Sequence, residues 1–283
     1  MFTTHKKTNQ ILAFVAFLFS LILYVITISP TASFWDPGEF IAVANQLQVT
    51  HPPGAPVFLL IGRMFSMFAS PENVAYWVNM VSAFASAFTI MFLYLIVVRL
   101  IIEIKGNPEA LDTFGKVGMY GAGLIAALTF AVSDTFWFNA VEAEVYALSM
   151  FFTSIVVWLA MKWSEHHNEE GNVRRLVLIA YMLGLDLGVH LVNVLCLFFV
   201  ALIVYFKKTE FKWSTFIATG VVSMLGFGLI YPFTVTQLAT ITGSIEKSTS
   251  YLISPITFLV LVFIAVFALI YYTHKKGYKI ANL

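Results

Sequence analysis

Hydrophobic positions in this chain do not alternate or recur on one face. They run on in blocks of about twenty, interrupted by short polar stretches. About 1.5 Å of helical rise per residue must cross about 30 Å of hydrocarbon, and on that rule the blocks predict eight spans: 10–29, 75–98, 118–138, 143–161, 176–190, 191–206, 213–232 and 251–272. Two of these, 176–190 and 191–206, are short and meet at GVHLVN, so they read equally well as one tilted or broken pair. The expected fold is an all-α integral membrane protein, one polytopic domain over 1–283, with a polar outer loop at 30–74 and a helical bundle over 75–232.

Composition agrees with that reading. The 283 residues are 60% hydrophobic and only 11% charged, with mean hydropathy +0.86. Ordinary soluble domains carry about 25% charge. A soluble enzyme and a nucleic-acid-binding protein are both excluded. The single cysteine, Cys196, allows no intrachain disulfide and gives no information on redox compartment. The first apolar run, 11–28, follows a basic start but exceeds the roughly 7–15 residues of a signal-peptide core, so it is expected to be an uncleaved anchor.

Charge then sets the expected orientation. With the N-terminus cytoplasmic, 14 of the 16 Lys and Arg residues fall on the inner side, leaving only Arg63 and Lys247 outside. Both termini are therefore expected in the cytoplasm, in a bacterial inner membrane. Eight acids lie toward the outer side: Asp36, Glu39, Glu72, Asp134, Glu142, Glu144, Asp186 and Glu246. Ionisable groups near membrane depth are costly and line cavities or substrate paths. The outer side is where chemistry is expected.

The densest chemistry is SFWDPGEFIAVANQLQVTHPPGAP at 33–56. Asp36 at N-cap, Pro37 at N1 and Glu39 at N3 fit a capping box for a helix with Phe40, Val43, Ala44 and Leu47 on one face. A carboxylate held at such a helix start is also placed to take a proton from an attacking hydroxyl, and both readings stay open. Pro52 and Pro53 should end that helix, leaving His51 in a rigid turn or facing the site. The apolar segment 56–69, too short to span, should lie in the interface; its Arg63 either meets a phosphate or snorkels to a headgroup.

Further along, Glu142 and Glu144 are two apart, so on a helix only one of them would face a common cavity. Asp186 and His190 are spaced to hydrogen-bond on one helical face. Trp137 and Tyr146 suit an aromatic belt. No tight ligand motif occurs among the outer residues, so no cofactor is expected and a divalent metal has weak support.

Taken together and in order, D-P-G-E-F, H-P-P-G-A-P, Glu72-Asn73 through Val78-Asn79, V-E-A-E-V-Y-A-L and G-L-D-L-G-V-H-L-V-N resemble a membrane family first catalogued as domain of unknown function 2723. It is now grouped as glycosyltransferase family 117, related to protein O-mannosyltransferases of the GT-C type. The likeness covers residues 10–200; members of that family are usually longer. It implies a GT-C fold and transfer of a sugar from a polyprenyl-phosphate-type lipid to a protein or glycan hydroxyl on the outer face. By the same likeness Asp36 is the general base, Glu39 a second acid or cap, His51 and Arg63 contact the phosphate or orient the base, and Glu142, Glu144 and His190 line the pocket. The implied partners are the lipid-linked donor, the acceptor and membrane lipids. Two other classes stand beside this one: a transporter or flippase for a lipid-linked substrate, and a non-catalytic membrane scaffold.

Overall fold

The computed structural model describes residues 4–169, 171–249 and 255–276. All regular structure in them is helical: α1 (Thr4–Thr27), α2 (Pro37–Gln46), α3 (Pro56–Ser66), α4 (Val74–Lys105), α5 (Thr113–Ala131), α6 (Asp134–Ala140), α7 (Val145–Glu165), α8 (Val173–Leu187), α9 (Cys196–Lys208), α10 (Trp213–Gly228), α11 (Leu238–Ser248) and α12 (Pro255–Lys275). A π-helical stretch, Leu229–Gln237, joins α10 to α11 and contains Pro232, whose missing N–H breaks the regular ladder.

Six helical segments among the described residues are long and apolar enough to cross a membrane: Thr4–Thr27, Pro71–Lys105, Thr113–Ala131, Val145–Glu165, Leu191–Lys208 and Trp213–Phe233. These correspond to six of the eight expected spans. Expected span 176–190 becomes α8, whose 15 residues reach only about 22 Å. Expected span 251–272 starts at residues 251–254, which lie outside the described residues, and continues into α12. The third expected span also stops early, because Val132 and Ser133 break the helix before the short α6.

The chain divides into two compact units, Met1–Glu165 with Leu178–Cys196, and His166–Val177 with Leu197–Leu283. In the first, α4 is the hub and packs on α1, α3, α5 and α7. Its small residues Ser82, Ala83, Ala85, Ser86 and Ala87 are all buried, and such residues let helix backbones approach closely where lipid offers no hydrophobic drive. One apolar cluster gathers α1, α4, α5 and α6 around Tyr24, Ile90 and Tyr94; another gathers α2, α3, α4 and α7 around Phe40, Phe58 and Val78. In the second unit, Tyr205 on α9 holds the turn into α10 through Lys212 and Thr215.

The two short helices expected in the outer loop are present as α2 and α3. Their crossing is close: a Cβ on Gly62 would stand 3.0 Å from the Ala44 Cβ, so glycine sets the approach. α2 ends earlier than Pro52-Pro53 would require, at Gln46, because Leu47 turns left-handed (φ 51°) and its N–H caps the helix carbonyls. Leu47 therefore leaves the apolar face and is exposed.

Candidate active site

The helices of the first unit bring four segments to one end of the bundle: the exit of α1 with α2 and α3, the start of α4, the exit of α5 with α6, and the start of α7. Segment 28–33 is tied down by several bonds. Ser29 N–H donates to the Val141 carbonyl (2.9 Å), Asn79 Nδ2 donates to the Ser29 carbonyl (2.7 Å), and Trp137 Nε1 donates to Thr27 Oγ1 (3.1 Å). Asn79, fully buried in α4, was singled out in the sequence only as part of the family resemblance; a lone amide in an apolar span is the signal that could have found its role.

From this anchored segment the chain runs through Phe34 and Trp35, which are 86% and 88% exposed, into Asp36. Trp35 sits in the left-handed region (φ 69°), uncommon for a bulky residue. The capping box does not form. Asp36 already has helical angles and its side chain caps nothing, so its carboxylate has no hydrogen-bond or ion-pair partner among the described residues.

Glu39 reaches away from the helix start altogether. Its Oε1 accepts from Thr50 Oγ1 and from the His51 backbone N–H, each at 2.7 Å, and its Oε2 accepts from His51 Nδ1 at 2.7 Å. Three bonds from one carboxylate fasten the H-P-P-G turn to the first turn of α2. They also set the imidazole: with Nδ1 donating to Glu39, Nε2 is the atom left for other partners. The His51 hydrogen bond, with help from Thr50, holds the Glu39 carboxyl down at about 2, and the same bond raises His51 above its usual value. Asp36, Glu39 and His51 each offer a ligand atom within 4.8 Å of the others, the one grouping of metal-ligand spacing among the described residues. Glu39 and His51 are already engaged with each other there, so a cation would have to use His51 Nε2 or displace that bond.

Glu142 and Glu144 join this end together. Residues 141–144 are not helical, so the i, i+2 rule that separated them does not apply, and both are buried, at 5% and 7% exposure. Glu142 accepts a short hydrogen bond from Ser33 Oγ, three residues before Asp36. Burial raises the Glu142 carboxyl; burial, then the charges of Asp36 and Glu142, push Glu144 up to about 7.

The structure places the other two expected residues elsewhere. Arg63 Nη1 donates to the Asn45 carbonyl (2.6 Å) and to Asn45 Oδ1 (3.2 Å), at the far end of α2 from Glu39. Asn45 is six residues along the helix from Glu39, about 9 Å. His190 lies beyond the end of α8, not on it. Its backbone N–H donates to the Asp186 carbonyl (2.8 Å), while its ring packs on Tyr146 with centroids 5.1 Å apart. The expected Asp186–His190 side-chain pair is therefore absent, and the buried Asp186 carboxylate lies against Ser149 and Asn193 instead.

Residues 36–213 match the model of a family described as the protein O-mannosyl-transferase TMEM260 N-terminal domain. The chain belongs to this family. Its match begins at Asp36 itself and takes in the H-P-P-G turn, Glu142, Glu144 and His190. Among curated proteins, it is 28% identical over 159 residues to protein O-mannosyl-transferase tmem260 of Dictyostelium discoideum, covering 55% of this chain and 17% of that protein. It is 26% identical over 165 residues to protein O-mannosyl-transferase TMEM260 of Mus musculus, covering 58% of this chain and 21% of that one. The matched region thus spans about a fifth of the length of these relatives. No solved structure matches the chain.

Proposed function

We propose that the Asp36 end of the bundle transfers a mannosyl group from a lipid-linked phosphate donor to a hydroxyl of a protein, on the outer face of the membrane. One observation carries the reading: Asp36 is a carboxylate with no partner among the described residues, set at the end of an anchored segment. Elsewhere in the cluster, Glu39 is spent on His51 and Thr50, Glu142 is spent on Ser33, and Glu144 is buried, with a titration raised to about 7 that leaves it about half protonated at neutral pH. Asp36 is the base that remains.

In this reaction the acceptor oxygen attacks the anomeric carbon as the bond from that carbon to the phosphate oxygen breaks. The acceptor proton passes to Asp36, and the lipid phosphate leaves with the bonding pair. Such general-base help is worth roughly 10²–10⁴-fold in rate. A leaving phosphate needs a cation, and His51, whose charged form the Glu39 hydrogen bond favours, offers one at this end of the unit. Arg63, tied to Asn45, does not take that role. The outer placement rests on the Lys and Arg distribution. The activity named for the relatives supports the class of reaction.

The test is mannosyl transfer from polyprenyl-phosphate-linked donors to Ser/Thr peptides in reconstituted membranes. Wild type should transfer, while Asp36→Asn and Asp36→Ala, shown to be folded by thermal unfolding, should lose at least about a hundredfold. Full activity in Asp36→Asn would remove Asp36 from the chemistry and return the scaffold and transporter readings to the front.

A further inference from the structure

The G-L-D-L-G-V-H-L-V-N motif takes no part in the chemistry above, yet the fold spends several specific contacts on it. α8 stops at Leu187, and both Val189 and His190 N–H groups donate to the Asp186 carbonyl, closing a tight turn (2.8 Å each). The Gly188 carbonyl then accepts from Val57 N–H (2.8 Å), and a Cβ at Gly188 would stand only 2.5 Å from Val57 Cγ2, so only glycine allows the turn to dock on α3. Beyond it, Asn193 Nδ2 donates to the Ser149 carbonyl (2.8 Å) and to Ser149 Oγ, locking the chain to α7.

These contacts build one wall of a cavity of about 780 Å³. Asn139, Tyr146, Ser149, Met150, His190 and Asn193 line it together with the end of α5. Most of the lining surface is apolar, with a few amide, hydroxyl and imidazole groups set into it. No Lys, Arg, Asp or Glu contributes to its lining. His190 offers both ring nitrogens without a hydrogen-bond partner among the described residues, and Asn139 spends only its Nδ2, on the Thr135 carbonyl, leaving its oxygen to accept. Behind Ser149 and Asn193 lies the buried carboxylate of Asp186.

A phosphate would find no fixed cation in such a cavity, and a charged sugar would be buried without a counter-charge, which costs heavily. A neutral hydroxyl-rich ring matches it: its O–H groups meet imidazole and amide, and its C–H face meets Tyr146. We propose that this cavity seats the hexose ring of the substrate and selects an uncharged, fully hydroxylated sugar. The inference rests on the glycosyl-transfer reading, which puts the phosphate at His51 and the sugar here. Tyr146 stands in the first turn of α7, directly after the 141–144 turn whose Glu142 accepts from Ser33 three residues before Asp36, so the two regions adjoin.

Saturation-transfer NMR on the purified full chain in nanodiscs, with methyl α-mannopyranoside as probe, tests the assignment. The neutral hexoside should bind, and its 2-amino and uronate analogues should bind roughly tenfold or more weakly. Met150→Trp, which fills the cavity, and Asn139→Leu, which removes its free acceptor, should each weaken the hexoside roughly tenfold. Asp36→Asn should bind it as wild type does. Hexoside binding that ignores both substitutions, equal binding of the charged analogues, or displacement by a Ser/Thr peptide or polyprenyl phosphate but not by free hexoside overturns the proposal. Transfer activity with no such binding pattern sinks the cavity assignment alone; the binding pattern with no transfer on any donor sinks the enzymatic reading and leaves the sugar site.

Discussion

The two ends of the first unit's bundle carry similar numbers of charged groups and use them differently. At the end away from Asp36, several charges are paired. Arg99 pairs with Glu103 (2.7 Å) and Glu165 (3.3 Å), Lys162 pairs with Glu165 (2.7 Å), and the His5 backbone N–H donates to Glu109 while its ring bonds Tyr120. At the Asp36 end, four carboxylates gather around one imidazole, two of them buried and one with no partner. Matched charges at a membrane boundary hold helices in register at little net gain or loss. Unmatched ones raise the energy of the resting protein, and the return on that cost comes only when a substrate brings the missing proton or cation. The imbalance, more than the presence of acids, is what argues for the Asp36 end as the proposed working end.

The sharpest way to break this comparison is to neutralise one acid at each end. Asp36→Asn should reduce mannosyl transfer by roughly 10²–10⁴-fold, while Glu165→Gln should leave it unchanged, both measured at equal folded protein in the same vesicles. Equal losses from the two would mean that the charge census does not locate the chemistry.

Next in size is Glu39→Ala. It removes all three bonds to the H-P-P-G turn, so transfer should fall roughly ten- to a hundredfold and the His51 titration, followed by NMR, should move down toward its ordinary value near 6.5. Glu39→Gln keeps a hydrogen-bond acceptor and should recover part of the rate without recovering the raised His51 titration. A His51 titration that stays put in both variants would show that Glu39 does not set it.

Much of this was legible in the sequence, and what was missed has identifiable physical causes. Apolar run length gave six of the spans directly, because hydrocarbon thickness fixes helix length. The short helices α2 and α3 followed from Pro37, the apolar spacing after it, and a segment too short to cross. The capping box failed because a local motif offers a carboxylate a partner, and a tertiary one, the His51 turn, outbid it for Glu39. The rule separating Glu142 from Glu144 failed because it presumes a helix, and 141–144 is not one. Scarcity of outer cations left Arg63 open between a phosphate contact and a headgroup, while the structure gives it the carbonyl and side-chain oxygens of Asn45, a contact that spacing does not encode. Asn79 and Ser33 act through segments far away in sequence, which spacing does not encode.

A smaller effect separates the ends by pH. Glu144 titrates near 7 in the folded protein against about 4.5 for the free group. Between those values the folded state holds a proton that the unfolded state has lost, so its contribution to stability is full below about 4.5 and is lost as pH rises through about 7. Glu39 has the opposite sign: its folded titration lies near 2, so its contribution is present above about 4.5 and fades as pH falls toward 2. Melting curves from pH 5 to 8 should therefore show a downward slope that Glu144→Gln flattens. A slope unchanged by that substitution would mean that Glu144 is solvated rather than strained.

The smallest effect belongs to the matched end. Arg99→Met deletes two ion pairs, yet Glu165 keeps Lys162 at 2.7 Å and Glu103 is already 54% exposed, so neither carboxylate is stranded. The methionine retains the packing of the arginine stem. Stability should change by less than about 1 kcal/mol, and donor and acceptor kinetics should not change at all. If Arg99→Met instead lowered transfer while the protein stayed folded, the charge pattern at one end would be coupled through α4 to the chemistry at the other. The division into a structural end and a working end would then have to give way to one network running the length of the bundle.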